Sequence, residues 1–410
     1  MPFDHLVLLI GTNPLPNFVV AEYFLKKERN LRNIWLVHSE KTIHQEGTLN
    51  YAENLSAVLM ARHPDKGISF NFVPVTAISD ARQIRHDINE FLISRLPQNS
   101  IIQLNYTGGT KVMSIHVYLA LSGEVKKRLV KSFTYLDART FRIVDDTAGI
   151  LTVDLRGEVS LTFEELIKLH GFRRKNKNSI CVDFSSAVHV FRKAIESRRL
   201  LEFLDNKSGY NRAMFESKKK KRELAERIDD IDQDLLNSFK PNEVFQCILS
   251  AMPDGYRVFE NGIGKRFKKA VKFLDGEWLE EYIYSVLKEH LKGSSEILKN
   301  WEMKKEGWIG CFELDVIVMK GYQLFGISCT TSQDKSLCKS KGFEVIHRSR
   351  QIGGDEAKAV LVTLLDDERK KQLRDEVLLD TGALTENILV LGLCDIGLDP
   401  FMRKMDDFFE

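Results

Sequence analysis

The sequence contains no CxxC pair and no finger-like Cys/His spacing, although it has six cysteines, Cys181, Cys247, Cys311, Cys329, Cys338 and Cys394. A disulfide frame and a structural zinc site are therefore not indicated, and scattered thiols suit a reducing cytoplasm. Long hydrophobic runs are also missing. The first apolar stretch, Leu6–Ile10, is too short to span a membrane and lacks the basic region and cleavage site of a signal peptide, so neither export nor membrane insertion is expected. Charge of one sign is absent too: a formal net charge of +2 decides nothing about nucleic acid, because opposite charges can segregate into local patches. The GxxxxGK[ST] spacing of a Walker loop does not occur.

What the chain does have is the composition of a globular protein, 43% hydrophobic and 29% charged, over 410 residues. That length exceeds what one core organises, so two or three domains are expected. Through about residue 145, short apolar runs alternate with helical stretches. Leu6–Ile10, Asn33–Val37, Ile68–Val73 and Ser100–Leu104 read as strands; Phe18–Lys27, Leu49–Arg62, Asp80–Leu96 and Lys111–Leu121 read as helices. This βαβ rhythm, with runs apolar on both faces, implies a Rossmann-like parallel sheet covered by helices, whose ligands sit at the carboxyl ends of the strands. Residues 146–254 read as a helical connector, with helices near Leu161–His170 and Ser186–Leu204 and a basic run Lys218–Arg222 that turns acidic through Asp234. From 255 to 410 an α/β order returns: helix Glu277–Leu291, strands Ile309–Met319 and Gln323–Cys329 joined tightly at Gly321 and Tyr322, a helix near Asp355–Leu365 and a strand at Asn387–Leu393.

Two constellations carry chemistry. In the first, Asn105-Tyr106-Thr107-Gly108-Gly109-Thr110-Lys111 follows a strand and opens a helix. Paired glycines and free backbone N–H groups at a helix N-terminus favour an anion, the threonines add hydroxyls and Lys111 adds charge. A plain strand-to-helix turn capped by Thr110 is the alternative. Gly11-Thr12-Asn13-Pro14 and His38-Ser39-Glu40-Lys41-Thr42 should open on the same sheet edge and complete one polar pocket.

Together the Gly11-Thr12-Asn13 loop and the Asn105–Lys111 string resemble the CARF domain, the CRISPR-associated Rossmann fold. The resemblance covers about residues 1–145 and implies a homodimer that binds a cyclic oligoadenylate across its two-fold axis, commonly the cyclic tetra-adenylate of type III CRISPR systems. Gly11, Thr12 and Asn13 would then line the messenger pocket with Asn105, Thr107, Gly108, Gly109, Thr110 and Lys111, joined by His38, Ser39 and Thr42.

In the second constellation, Glu280 lies on a helix while Glu313 and Asp315 alternate on a strand and share one face. Carboxylates converging on Mg²⁺ or Mn²⁺ are what a metal-dependent nuclease needs, together with a lysine to orient water; an edge strand with solvated acids is the other reading. Gly276-Glu277-Trp278-Leu279-Glu280, Glu313-Leu314-Asp315-Val316, Gly326-Ile327-Ser328-Cys329 and Ile352-Gly353-Gly354 resemble the PD-(D/E)xK nuclease domain that follows a CARF domain in messenger-activated DNA and RNA nucleases. That resemblance implies a restriction-endonuclease-like α/β domain over 255–410, with Glu280 and Asp315 as metal ligands and Glu313 in support.

The family pattern is broken at one place. Ser328 and Thr330 stand where an acidic residue and a lysine belong, and neither brings the charge that metal or oxyanion requires. Lys335 or Lys339 could reach in from the next segment. Otherwise the chain is a non-catalytic messenger sensor whose effector domain acts by contact or holds the dimer together. A third reading, cleavage of the messenger in its own pocket, finds no base near Lys111. His170 reads as a helix-end residue, Trp301 and Trp308 as packing, and Cys329 and Cys338 as buried thiols rather than a reactive pair.

Overall fold

The computed structural model of the chain describes residues 3–43, 46–124, 129–175, 182–205, 242–253, 269–270, 272–305 and 307–410. The basic run Lys218–Arg222, the acidic stretch to Asp234 and Cys181 lie outside the described residues.

The first sheet is built on β1 (His5–Leu9), where Leu6 and Leu8 enter one core and Val7 and Leu9 another. Burial on both faces is what a parallel sheet sandwiched between helices requires. The rhythm continues through α1 (Leu15–Lys27), β2 (Asn33–Ser39), α2 (Leu49–Arg62), β3 (Ser69–Val75), α3 (Ala81–Phe91), β4 (Ile101–Asn105), α4 (Lys111–Glu124) and β5 (Leu129–Asp137). These strands pair in parallel in the order β3-β2-β1-β4-β5. The sheet then departs from the all-parallel expectation, because β6 (Arg142–Asp145) and β7 (Gly149–Ile150) extend it antiparallel. Strand β5 carries Ser132, Thr134 and Asp137, which interrupt the apolar run that marks a parallel strand in sequence.

Between the two constellations come α5 (Phe163–Leu169), opened by a Thr162/Glu165 capping box, then β8 (Phe172–Arg174), α6 (Ser185–Glu196) and α7 (Glu243–Ala251). The second sheet follows with α8 (Trp278–His290), β9 (Glu296–Lys305), β10 (Cys311–Lys320), β11 (Gln323–Cys329), α9 (Lys335–Gly353), β12 (Lys358–Val362), α10 (Asp367–Thr381), β13 (Ile388–Leu391) and α11 (Leu398–Phe409). Its order is β13-β12-β11-β10-β9-β8, antiparallel from β8 to β11 and parallel from β11 to β13. At the β10–β11 turn Gly321 has φ of 61°, and a Cβ there would lie 2.2 Å from Arg156 O, so glycine serves both the turn and a close approach.

The helix expected near Asp355–Leu365 is instead strand β12. Ala359-Val360-Leu361-Val362 is a short apolar run, and such a run fits a buried strand or a buried helix until its neighbours are known. Here β11 and β13 flank it in parallel. Helices α9 and α10 escaped the sequence reading because charge interrupts their apolar faces; α10 buries only Leu373 and Val377.

One core runs from Leu6, Leu8 and Leu55 through Leu166 to Leu314, Leu324 and Leu361, so the two sheets share an apolar interior. The outer face of the second sheet packs Val316 and Phe325 against Phe191, Trp278, Tyr282 and Phe401. No described helix is long and apolar enough to cross a membrane.

Candidate functional site

Strand order in the first sheet reverses between β1 and β4, because β2 and β3 lie on one side of β1 and β4 on the other. Such a reversal opens a crevice at the carboxyl ends of the two strands. There the backbones of two predicted loops touch: a Cβ added at Gly11 would lie 3.1 Å from Gly109 N, and one at Gly108 would lie 2.0 Å from Leu9 O. Gly109 has φ of 75°, the left-handed region. Thr110 Oγ1 accepts from Met113 N at 3.2 Å, so this threonine caps α4. Gly11, Thr12, Thr110 and Lys111 remain at least partly exposed at the crevice mouth.

The other predicted pocket residues hold the loops up. Buried Asn105 donates from Nδ2 to Thr134 Oγ1 at 3.2 Å and accepts from Thr107 Oγ1 at 2.7 Å, while Thr107 Oγ1 accepts from Leu136 N at 2.7 Å. Ser39 N donates to Thr48 Oγ1 at 2.9 Å, and that hydroxyl donates to Ile10 O at 3.0 Å, tying β2 to β1. His38 is buried, which lowers its pKa, and Thr42 is exposed. Three residues went unnoticed in the sequence. Thr48 makes the tie just described; Ser114 Oγ donates to Thr110 O at 3.1 Å; Asn17 Nδ2 donates to Leu9 O at 3.0 Å beneath Gly108. Only their position directly behind the loops could have signalled them.

Asn13 faces the second sheet's domain. Its Oδ1 accepts from Leu15 N at 3.1 Å and lies 3.3 Å from His170 Nε2, and a Cβ at Gly354, where φ is 72°, would fall 2.0 Å from Asn13 Nδ2. His170 closes α5 as expected of a helix-end residue; burial holds its pKa down to about 4. Glu356 is buried beside Gly354, and burial pushes its carboxyl up to about 7.

The second constellation assembles around α8 and β10. The chain kinks at Gly276, where φ is 179°, and enters α8 at Glu277, three residues before Glu280. Burial, then the charges of Asp315, Glu277 and Glu313, push Glu280 up to about 8. Asp315 is raised as well, chiefly by burial, although its Oδ2 accepts from Cys329 N at 2.8 Å and from Ser328 Oγ at 3.0 Å. Burial also raises Glu277, a member of this cluster that the sequence reading left without a role. On β10 the side chains change faces here: Leu314 belongs to the shared core and Val316 to the outer one, and the paired strand carries Asn300 with φ of 54° between the partners of those two residues.

Among the described residues no group of three or more His, Cys, Asp or Glu could hold a metal ion as a protein cage. Magnesium is commonly held by one or two carboxylates with its remaining water retained. Glu280 and Asp315, both half-buried, with Asp315 raising the proton affinity of Glu280, fit that looser mode. Ser328 turns its hydroxyl toward Asp315 and Thr330 Oγ1 accepts from Ser332 N at 3.2 Å, so neither adds charge.

Lys335 and Lys339, expected as replacement cations, are engaged elsewhere. Lys335 pairs with Glu376 at 2.6 Å and Lys339 with Asp380 at 2.7 Å, joining α9 to α10. The lysine whose charge acts on Glu280 and Asp315 is Lys341, two residues further along α9. Trp301 is buried as expected, but Trp308 is 64% exposed. Cys329 and Cys338 are unpaired and buried; burial raises both thiols, Cys338 to about 11.

Residues 5–141 match the family described as the Card1 CARF domain. Can2 from Sulfobacillus thermosulfidooxidans, solved in complex with cyclic tetra-adenylate, aligns over 98% of this chain and 98% of its own, with TM-score 0.65 and 16% identity. Protein VC1899 from Vibrio cholerae aligns over 99% of this chain and 98% of its own, with TM-score 0.66 and 16% identity. No curated protein sequence matches the chain. The first third of the chain is thus similar to Card1-type CARF domains, and the chain as a whole shares the fold of Can2 and VC1899.

Proposed function

We propose that the chain is a cyclic-oligoadenylate-activated, metal-dependent nuclease of type III CRISPR defence, acting in the cytoplasm as a homodimer. Residues 1–145 take the messenger, 146–254 connect, and 255–410 cut DNA or RNA. The observation that carries this reading is the half-buried Glu280–Asp315 pair, in which the charge of Asp315 helps push the Glu280 carboxyl up and a divalent cation would relieve the repulsion. Burying carboxylates without a counter-charge destabilises a fold, so such a cluster points to chemistry rather than packing.

Glu280 and Asp315 would hold Mg²⁺ or Mn²⁺, with Glu313 and Glu277 adding negative potential. A bound divalent ion supplies Lewis-acid stabilisation of charge on a phosphoryl oxygen. Ser328 and the Cys329 N–H fix Asp315 through Oδ2 and leave Oδ1 for the ion. Lys341 offsets negative charge at the site from α9, in the role that Thr330 cannot fill. At the other end, the Gly108–Gly109 and Gly11 backbones would take messenger phosphates, with Thr12, Thr110 and Lys111 at the rim. Asn13 and His170 link that crevice to Gly354, so a messenger that prefers one arrangement of the loops shifts the population of the effector domain.

The test is cleavage of plasmid and single-stranded RNA with Mn²⁺ or Mg²⁺, with and without cyclic tetra-adenylate, beside Asp315→Ala. Cutting that needs the messenger and disappears in the variant is expected. No cutting, with messenger binding measured separately, favours the second reading, a sensor without cleavage; the hydroxyl of Ser328 in place of a carboxylate supports that reading.

A further inference from the structure

The polar groups along the seam between the two sheets do not match. His170 Nδ1 lies 3.0 Å from the carbonyl of Leu166, which can only accept, so Nδ1 carries the proton and the neutral ring presents Nε2 as an acceptor. Facing it at 3.3 Å is Asn13 Oδ1, also an acceptor, held in that sense by the donating Leu15 N at 3.1 Å. Around Gly354 the complementary mismatch occurs. Asn13 Nδ2, a donor, and Glu356 Oε2, buried and without a hydrogen-bond partner among the described residues, lie 2.0 and 3.0 Å from one point, the place a Gly354 Cβ would occupy. A side chain there would stand between them; glycine, with φ of 72°, leaves the space to both.

Two arrangements repair the seam, and they differ by one proton. An ionised Glu356 accepts from Asn13 Nδ2 in a charge-assisted hydrogen bond, while Oδ1 keeps Leu15 N. A protonated Glu356 donates instead: with the amide turned over, its hydroxyl reaches Asn13 Oδ1, Asn13 Nδ2 reaches His170 Nε2, and the Leu15 N contact is given up. Charged or titratable groups stand on each neighbouring element. Asp355 shares the turn; His170 lies on α5 with the charge of Lys305 acting on it; Arg350 ends α9 and Lys358 opens β12. Tyr322, at the β10–β11 turn, has a buried hydroxyl without a partner, raised by burial and then by the charge of Glu356. Gln323 Nε2 donates to Glu356 O at 2.8 Å, and Arg156 Nη1 lies 3.3 Å from Gln323 Oε1. Burial, opposed by the Glu356 backbone N–H and aided by Asp355, holds the carboxyl at about 7.

We propose that Glu356 is a positioning residue for the Gly11–Asn13 loop, its proton selecting which of the two arrangements Asn13 adopts. The link to the messenger rests on the reading of that loop as a messenger pocket. An anionic ligand beside the loop favours the uncharged carboxyl, so binding takes up a proton. Melting of the ligand-free full chain is followed from pH 5 to pH 9 beside Glu356→Gln, an uncharged mimic of the protonated acid; Glu280 titrates in both and cancels in the difference. The folded chain keeps the Glu356 proton to higher pH than the unfolded one, so the parent loses stability relative to Glu356→Gln as pH rises to about 7, and the difference is constant above. In an Asn13→Ala background the same bend should move up by roughly half a pH unit or more, because the ionised acid loses the stronger hydrogen bond. A bend that stays or moves down would overturn the pairing. Cyclic tetra-adenylate is then titrated by calorimetry at pH 6 and pH 8. Affinity about five-fold higher at pH 6 is expected, with the dependence removed in Glu356→Gln. A dependence unchanged in that variant would belong to another group, such as buried His38, and would overturn the linkage. No binding at either pH would refute the messenger reading and the linkage with it, while the ligand-free bend still decides the pairing.

Discussion

Glu280 departs far from its free-solution behaviour. Its carboxyl is pushed up to about 8, so the folded chain keeps a proton there that the unfolded chain releases near the ordinary glutamate value. The folded state therefore binds more protons between those pH values, and this group's contribution makes stability fall as pH rises toward about 8. A cation needs the ionised form, so Mn²⁺ affinity should climb from pH 6 to pH 9, and Mn²⁺ should restore the melting temperature lost at high pH. Lys341 lowers the proton affinity of both Glu280 and Asp315. Lys341→Ala should consequently move the midpoint of Mn²⁺ binding to higher pH, which a metal titration followed by calorimetry at several pH values would detect. An unmoved midpoint would remove Lys341 from the site.

Helix α4 shows how one element can serve two ends. Its first turn, opened by Thr110, continues the Gly108–Gly109 loop, and Met113 and Val117 anchor its inner face. Val112, Ile115 and Leu119 point outward, 37%, 56% and 50% exposed, at the spacing of a helical apolar stripe. A second copy packed on that stripe would bring two loop crevices to one axis. Ile115→Glu should leave the monomer's stability within about 0.5 kcal/mol, because the side chain is exposed, yet abolish dimerisation. Light scattering on the eluted protein reads the mass directly; a dimer that survives the charge would place the interface elsewhere.

Across the whole molecule, the two sheets share one apolar core, and its polar seam is Asn13, His170, Gly354 and Glu356. Truncating Asn13 to alanine removes the contact with His170 and Gly354 without touching Gly11 or Gly109. Asn13→Ala should keep messenger affinity within a few-fold while reducing messenger activation of cleavage by about 5–150-fold, the range of a typical coupling free energy. Binding calorimetry beside a cleavage assay separates the two quantities. Equal losses in both would make Asn13 a ligand contact, as the loop pattern suggested.

The sequence alone determined the local features that depend on backbone chemistry and short periodicity. Buried runs such as Leu6–Leu9 announced the central strand, and Gly108-Gly109 announced a backbone that must approach another closely, because no side chain fits there. Glu280 and Asp315 could be picked out by residue type and spacing. Tertiary structure decided which groups actually meet. Lys341 rather than Lys335 or Lys339 acts on the carboxylates because α10 supplies Glu376 and Asp380 to the other two. Polar strands β5 and β9 and the short run of β12 were illegible because a strand's stability lies in its neighbours, through ladder hydrogen bonds and cross-strand packing, rather than in its own residues. The contacts of Asn13 were illegible for the same reason: its partners, His170 and Gly354, are 157 and 341 positions away in the chain, a proximity only the shared core creates.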